Sequence, residues 1–246
     1  MIRFILIMAF VVLYLILFLP VLIFEWVLQH FNRRAADISS LRMVQWAFKV
    51  ILKMTGSKIT YLGEEKVPTD QAVLFVADHH SYFDILVTYT RCRDLTGYIS
   101  KDSMGKIPLF STWMKRLYCL FLNREDPKEA LRMISTATDY IKKGISICIF
   151  PEGTRNKTED PLLPFKEGSM RMAIKSGCPI VPIAISNTAQ IWEAHFPKIR
   201  PAQVIVEYCD PIYPKNYSRA EQKTLGKISH DIIEQKLMEH QNLLQK

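Results

Sequence analysis

Residues 72–84 read AVLFVADHHSYFD, a short apolar run that ends in two adjacent histidines and a later aspartate. An apolar run of this length, bounded by polar residues, predicts a buried strand. Ionisable groups beside such a strand cost free energy unless they are paired or used. His79, His80 and Asp84 are therefore the first candidates for a functional site.

Outward from this segment, short apolar runs alternate with helical patterns as far as residue 244. Further strands are predicted at 95–100, 117–122, 145–150, 180–185 and 203–208. Helices are predicted at 84–92, 104–116, 127–144 and 166–177, and a final polar helix at 218–244 is expected to cover one sheet edge. This alternation predicts an α/β fold with a largely parallel central sheet flanked by helices. In such sheets, sites form beyond the carboxyl ends of the strands.

The composition is that of a folded chain in a reducing compartment. Of the 246 residues, 49% are apolar and 23% are charged, which indicates a packed core rather than disorder. The five cysteines include no CxxC pair, which argues against a disulfide framework and against a zinc ribbon.

The N-terminal segment between Arg3 and Glu25 contains no charged residue. A helix that spans a bilayer needs about 20 apolar residues, so this segment is predicted to be an uncleaved membrane anchor. A signal peptide is the alternative, but its apolar region is shorter and ends in a cleavage site. The first 60 residues hold seven lysines and arginines against two carboxylates. This surplus follows the apolar segment, so we expect the rest of the chain on the cytoplasmic side, beside anionic lipid rather than nucleic acid.

A second segment, 39–56, is predicted to be an amphipathic helix that Ser39 or Ser40 caps and Gly56 ends. Its apolar face either lies on the bilayer or packs on the following domain, and both interpretations stay open. The predicted organisation is an N-terminal membrane anchor with an amphipathic helix over residues 1–56 and an α/β domain over residues 57–246.

The residues at 79–84 have the chemistry of a general base and its partner. A neutral imidazole accepts a proton near pH 7, and a carboxylate orients it. Positions five apart differ by about 140° on a helix, so His79 and Asp84 pair only if His79 lies in the turn before the helix. Two alternatives remain: Asp84 as a helix cap beside a structural histidine, or a metal site formed with His80. Ser81 is a weak candidate nucleophile because it lacks the GxSxG elbow.

A second polar turn, PEGTRN at 151–156, follows the apolar run ISICIF. Gly153 allows close backbone approach, Thr154 adds a hydroxyl, and Arg155 has a planar fork suited to phosphate. An anion-binding turn is one interpretation, and a surface loop with an exposed arginine is the other.

Taken together, these motifs resemble the glycerolipid acyltransferase family, specifically its 1-acyl-sn-glycerol-3-phosphate acyltransferases. The resemblance covers residues 58–215: His-x4-Asp at 79–84, KIPLFSTWMKRLYCLFLNRED at 106–126, FPEGTR at 150–155 with FKEG at 165–168, and CPIVPIAI at 178–185. The chain departs from the common family pattern at Asp78, His80, Tyr118 and Asn123.

The resemblance implies acyl transfer from acyl-CoA or acyl carrier protein to lysophosphatidic acid at a membrane, giving phosphatidic acid. It implies that His79 is the general base and that Asp84 orients it. It also implies that these residues hold the acceptor phosphate: Glu152, Gly153, Thr154, Arg155 and, as weaker candidates, Arg124 and Lys101. No metal or organic cofactor is expected, and no nucleic acid. The alternatives are another acceptor, such as glycerol 3-phosphate or another lysophospholipid, and a non-catalytic, membrane-anchored lipid-binding protein.

Overall fold

The computed structural model describes residues 1–124 and 126–244, and its centre is a seven-stranded mixed sheet. The strands are β1 Lys58–Leu62, β2 Leu74–Ala77, β3 Thr96–Lys101, β4 Leu120–Leu122, β5 Ser146–Ile149, β6 Ile180–Ser186 and β7 Gln203–Tyr208. Their order across the sheet is β1-β7-β6-β2-β5-β3-β4. Only β6 and β7 run antiparallel among these neighbours. The predicted α/β fold with a largely parallel sheet is confirmed.

Eight α-helices accompany the sheet in the described part of the chain. They are α1 Ile2–Leu17, α2 Leu19–Phe31, α3 Arg33–Thr55, α4 Phe83–Tyr89, α5 Phe110–Arg116, α6 Pro127–Lys142, α7 Arg171–Ser176 and α8 Leu225–Leu244. The α-helix predicted at 104–116 occupies only its second half, since residues 102–106 form a 3₁₀ turn. Helix α8 packs mainly against β6, an interior strand, so the prediction that it covers a sheet edge was wrong.

The apolar N-terminal segment was predicted to be one anchor helix in which Pro20 could introduce a kink, and it forms two helices. Helices α1 and α2 meet at Phe18 with a bend of 44°. Pro20 lies in the first turn of α2, where its missing N–H costs nothing, whereas inside a continuous helix it would break a hydrogen bond. Within the described ranges, no single helix is both long and apolar enough to cross a membrane, although the bent pair meets that test by length and composition.

Helix α3 begins at Arg33, which is at least six residues before the predicted cap at Ser39 or Ser40. Asn32 caps it by accepting a hydrogen bond from the backbone N of Ala35, at 3.0 Å. Ser40 is instead buried inside the helix. The predicted end at Gly56 is confirmed, because this glycine adopts the left-handed conformation with a φ of 74°. Leu41 and Leu52, on the apolar face of α3, are buried in the core, which favours the packing interpretation of this helix.

A buried ion pair joins the N-terminal helices to the rest of the chain. Glu25 is fully buried, and its Oε2 accepts a hydrogen bond from Nε of Arg116 in α5, at 3.1 Å. The same Nε lies 2.6 Å from Oγ of Ser40. Residues of α1 and α3 also share one apolar core with the sheet, among them Ile7, Leu41 and Phe75. The division at 56/57 stays a prediction, since the two predicted parts pack together.

Candidate active site

Three neighbouring strands bring the candidate residues to one edge of the sheet. Strand β2 lies between β6 and β5 and is parallel to both. Their carboxyl ends lead into residues 78–84, 150–156 and 187–196. The segments 78–84 and 150–156, which were predicted to share one edge of the sheet, therefore lie side by side, and the segment 187–196 lies next to them.

His79 and Asp84 form a hydrogen-bonded pair. His79 lies in the turn before α4, and Asp84 lies in the first turn of that helix. Nδ1 of His79 is 2.8 Å from Oδ2 of Asp84. The same oxygen accepts the backbone N–H groups of His80 at 2.8 Å and Ser81 at 2.7 Å. Oδ1 accepts the hydroxyl of Thr188. The fully buried Asp84 thus pairs with the histidine and also binds the turn, so the two interpretations of Asp84 are compatible.

The His79 ring is held flat against Phe150. The ring centroids are 4.1 Å apart and the planes are inclined by 21°. The His79 side chain is 12% exposed and lines the large cavity described below. Because Nδ1 is engaged by Asp84, Nε2 is the nitrogen left to meet a substrate hydroxyl.

His80 belongs to a different pair. Its Nδ1 lies 3.1 Å from Oδ2 of the fully buried Asp78, whose Oδ1 accepts the backbone N–H of Ile185 at 2.8 Å. Burial lowers the pKa of His80, but the Asp78 carboxylate, with smaller contributions from the charges of Asp84 and Glu152, outweighs burial and raises that pKa to about 9. Since Nδ1 of His80 faces Asp78 rather than Asp84, the three possible ligands of the alternative metal site are not brought together around one point.

Ser81 is fully buried, and its hydroxyl is used within the turn. It donates to Oε2 of Glu193 at 2.7 Å and accepts the backbone N–H of Phe83 at 3.0 Å. This geometry does not present Ser81 as a nucleophile.

Glu152 faces the protein rather than the cavity. Its Oε1 accepts the backbone N–H of His79 at 2.6 Å, and its Oε2 accepts that of Leu163 at 3.1 Å. Burial raises the pKa of the Glu152 carboxyl to about 7. The two backbone donors oppose this shift, because they favour the ionised form. Asn156 adds to the hold on the turn by donating its backbone N–H to the carbonyl of His79 at 2.6 Å. The geometry thus gives Glu152 a place behind His79, not the direct phosphate contact predicted for it.

Gly153 adopts a φ of 76°, and a Cβ at this position would meet Nζ of Lys166 at 2.8 Å. The turn therefore requires glycine for its backbone conformation, whereas the flexible Lys166 side chain could move away from a Cβ. Thr154 is exposed and Arg155 is partly buried, and both line the cavity. Of the four residues of this turn that were predicted to bind phosphate, only Thr154 and Arg155 face the cavity.

Arg155 is held by two neighbours. Its guanidinium lies over the ring of Tyr82, 3.9 Å from the centroid, and its Nη2 is 3.2 Å from the Tyr82 hydroxyl. Its Nη1 is 3.3 Å from Oε1 of Glu193. Sequence reasoning missed Glu193. The available signal was its position after β6, the strand next to β2, but that adjacency is visible only once the strand order is known.

Two more predicted cations, Lys101 and Arg124, lie along the same cavity. Lys101 is the last residue of β3, and Arg124 follows the end of β4, so both project beyond the same edge of the sheet as His79. Burial lowers the pKa of Arg124. Arg155, Lys101 and Arg124 therefore supply positive charge around one opening.

The cavity itself is mostly apolar. It encloses about 670 Å³ between α1 and α3 on one side and α4, β3 and α5 on the other. Apolar side chains line most of it, among them Phe10, Val44, Leu86, Tyr98, Trp113 and Leu117. One cavity thus joins the His79 imidazole, the cations and an apolar interior, an arrangement suited to a ligand with an anionic head and a hydrocarbon chain.

Comparison with known sequences identifies the family. The Acyltransferase family profile matches residues 58–186, which is more than half of the chain. The chain belongs to the Acyltransferase family. Both the His79–Asp84 pair and the turn of Arg155 lie within the matched region of this acyltransferase.

Several relatives carry the name 1-acyl-sn-glycerol-3-phosphate acyltransferase. The one from Cocos nucifera is 31% identical over 82% of this acyltransferase and 63% of its own length. The one from Haemophilus influenzae is 28% identical over 84% of this chain and 85% of its own. The one from Escherichia coli is 30% identical over 72% and 73%, respectively. The chain thus spans slightly less than two thirds of the Cocos nucifera relative and most of the two bacterial ones.

A solved structure has the same fold. The 1-acyl-sn-glycerophosphate (LPA) acyltransferase from Thermotoga maritima superposes with a TM-score of 0.84 at 24% identity. The match covers 98% of this acyltransferase and 95% of that chain, so the fold similarity includes the N-terminal helices.

Proposed function

We propose that this acyltransferase moves a fatty acyl group from a thioester to the free hydroxyl of 1-acyl-sn-glycerol-3-phosphate, giving phosphatidic acid for phospholipid synthesis. The observation that carries the proposal is the 2.8 Å contact between His79 and Asp84 in a cavity that also holds Arg155. The donor is acyl-CoA or acyl carrier protein. The named activity of the relatives supports the choice of acceptor.

The reaction uses His79 first as a base and then as an acid. Nε2 accepts the hydroxyl proton while the hydroxyl oxygen attacks the thioester carbonyl carbon, and the carbon–sulfur bond breaks as the tetrahedral adduct collapses. The imidazolium then returns the proton to the departing thiolate, so the proton balance closes. Asp84 stabilises the imidazolium and holds the ring with Nδ1 inward. A base positioned in this way contributes roughly 10²- to 10⁴-fold.

The cations beside His79 bind the acceptor phosphate. Arg155 offers a planar fork that contacts two phosphate oxygens at once, and Thr154 adds a hydroxyl. Lys101 and Arg124 contribute charge from the other side of the opening. Glu152 and Gly153 contribute by shaping the turn, because the Glu152 carboxylate is engaged by two backbone amides. The apolar interior of the cavity receives an acyl chain.

We also propose that α1 and α2 hold the enzyme on the membrane, with the catalytic domain on the cytoplasmic side. These helices expose large apolar side chains, among them Leu13 (53%), Ile16 (56%), Phe24 (63%) and Trp26 (60%). Basic residues of α3 lie next in sequence and suit anionic phospholipids. Docking there spares the extraction of lipid substrates into water, at about 0.8 kcal/mol per CH₂.

A flotation experiment tests the membrane proposal. The double variant Ile16→Lys/Phe24→Lys is expected to lose most of its binding to vesicles that contain anionic phospholipid. Its control is Leu131→Lys/Met238→Lys, which changes two side chains of similar exposure (56% and 53%) on α6 and α8. Equal flotation of the two double variants would contradict a role of the α1–α2 surface.

An acceptor panel tests the reaction. Purified protein receives an acyl-CoA or an acyl carrier protein thioester together with lysophosphatidic acid, glycerol 3-phosphate or lysophosphatidylcholine, and products are identified by mass spectrometry. Phosphatidic acid from the first acceptor, at a kcat/KM well above that of the others, is expected. A preference for either other acceptor would overturn the assignment of the acceptor, and no acyl transfer to any of them would favour a lipid-binding protein.

A further inference from the structure

Glu193 connects the two motifs of the site. It lies in the segment that follows β6, at the start of the short 3₁₀ turn Glu193–His195. One carboxylate oxygen, Oε2, accepts the hydroxyl of Ser81 at 2.7 Å. The other, Oε1, accepts the backbone N–H of Tyr82 at 2.9 Å and lies 3.3 Å from Nη1 of Arg155. A single carboxylate therefore bridges the turn that carries His79 and the turn that carries Arg155.

The Glu193 side chain is 21% exposed and that of Arg155 is 23% exposed, so their ion pair is partly shielded from water. Tyr82 completes a closed set of contacts, because its amide binds Glu193 while its ring and hydroxyl contact Arg155. The guanidinium is thus clamped from two sides before any acceptor arrives. A long side chain that is already ordered loses less conformational freedom when it binds its ligand.

We infer that Glu193 is a positioning residue that fixes the Arg155 guanidinium for the phosphate of the acceptor. The contacts to Glu193 and Tyr82 use one N–H on each terminal nitrogen of Arg155. A guanidinium has five N–H groups, so three remain to grip two phosphate oxygens. This inference rests on the proposed function, since it assumes that Arg155 binds the acceptor.

The negative charge of Glu193 is compatible with a phosphate nearby because Arg155 lies between them in the inferred arrangement. The carboxylate faces Ser81, Tyr82 and Arg155, which all donate hydrogen bonds to it. Glu193 is not among the side chains that line the cavity, whereas Arg155 is. Glu193 therefore acts on the acceptor through the arginine rather than by contact.

The test is a double-mutant cycle between Glu193 and Arg155, with kcat and both KM values measured by varying each substrate in turn. Glu193→Gln removes the charge that holds the guanidinium. Its amide oxygen can still accept the backbone N–H of Tyr82, and its NH₂ group can donate to the Ser81 hydroxyl, so the turn that carries His79 keeps both contacts. We expect it to raise the acceptor KM about five- to tenfold, with kcat and the donor KM within about twofold. In the Arg155→Ala background, Glu193→Gln is expected to have no further effect on the acceptor KM. Glu159→Gln, an exposed glutamate of the neighbouring loop, is the charge-matched control.

A second variant covers the case in which Glu193→Gln does not fold, as judged by thermal unfolding. Tyr82→Phe removes only the hydroxyl that contacts Nη2 and retains the ring under the guanidinium. It is expected to raise the acceptor KM about twofold to threefold in the wild-type background and not at all in Arg155→Ala. If the folded variants raised the acceptor KM equally with and without Arg155, or if kcat and both KM values changed together, the inference would be overturned.

Failure of the proposed function gives a different pattern from failure of this inference. If the acceptor panel gave no phosphatidic acid, the proposed function and this inference would both fall. If Arg155→Ala left the acceptor KM unchanged, the phosphate-binding role of Arg155 and the inference about Glu193 would fall, but acyl transfer to lysophosphatidic acid would stand. If Arg155→Ala raised the acceptor KM while Glu193→Gln and Tyr82→Phe did not, only the role of Glu193 would fall.

Discussion

Oδ2 of Asp84 lies 2.8 Å from Nδ1 of His79 and is also bound by the backbone N–H groups of His80 and Ser81. One buried oxygen therefore sets both the direction of the imidazole and the shape of the turn that carries it. Any imidazolium that forms at His79 is paired at once.

Asp84→Asn is expected to lower kcat at least about 100-fold while leaving the acceptor KM within about threefold, since an amide cannot stabilise the imidazolium. It also loses an acceptor for the turn, so a lower Tm is expected. Thr188→Val is the matched comparison, because it removes only the hydroxyl on Oδ1. We expect it to cost about tenfold or less in kcat. Near-wild-type turnover by Asp84→Asn would reduce Asp84 to a residue that holds the turn.

Glu152→Gln is expected to lower kcat roughly tenfold or more with little change in the acceptor KM. Glutamine presents one oxygen and one NH₂ group, so one of the two backbone amides bound by Glu152 faces another donor, and the backbone of His79 shifts. Steady-state kinetics separates this outcome from direct phosphate binding. A large rise in the acceptor KM at unchanged kcat would restore the interpretation that Glu152 contacts the phosphate.

The His80–Asp78 pair is expected to make stability fall as the pH rises. The pKa of His80 is raised to about 9 in the folded protein, above its ordinary value of about 6.5. The bound proton therefore stabilises the fold fully below about pH 6.5, and this contribution is lost as the pH rises through 9. Thermal unfolding of wild type and His80→Gln between pH 6 and 9.5 measures the difference. The difference in Tm between the two proteins is expected to shrink at high pH, by about 2 to 4 °C for each 1 kcal/mol of stabilisation that the wild type loses with the His80 proton. A gap that is independent of pH would show that His80 holds no extra proton.

Much of the fold was predictable because the central strands β2 and β6 are fully buried and β5 beside them is largely so. Strands β2 and β6 are apolar throughout and are bounded by polar turns, so the sequence marks them clearly. Strand β1 was missed, since KITYL is an edge strand with alternating exposure and no continuous apolar run. The strand predicted at 117–122 starts later, because Tyr118 has a φ of 60° and belongs to the turn after α5.

The site residues that follow a recognisable strand were predictable from the sequence. Those that reach the site through the order of the strands in the sheet were not. His79, Asp84 and Arg155 follow recognisable strands, so their convergence at one edge could be expected. Glu193 and Thr188 reach the site only because β6 lies beside β2, a pairing that the chain order does not reveal. The buried Glu25–Arg116 pair was likewise hidden, since hydropathy reports composition and not the partner of a charge.

The central claim is that His79 is the base for acyl transfer to a phosphate-bearing acceptor, and the neighbouring histidine provides its control. The direct measurement is phosphatidic acid formation from lysophosphatidic acid by wild type, His79→Ala and His80→Ala, each shown to be folded by thermal unfolding. His79→Ala is expected to lose at least about 100-fold in kcat and His80→Ala less than about tenfold. Equal losses in the two variants, or the larger loss in His80→Ala, would contradict the assignment of the base.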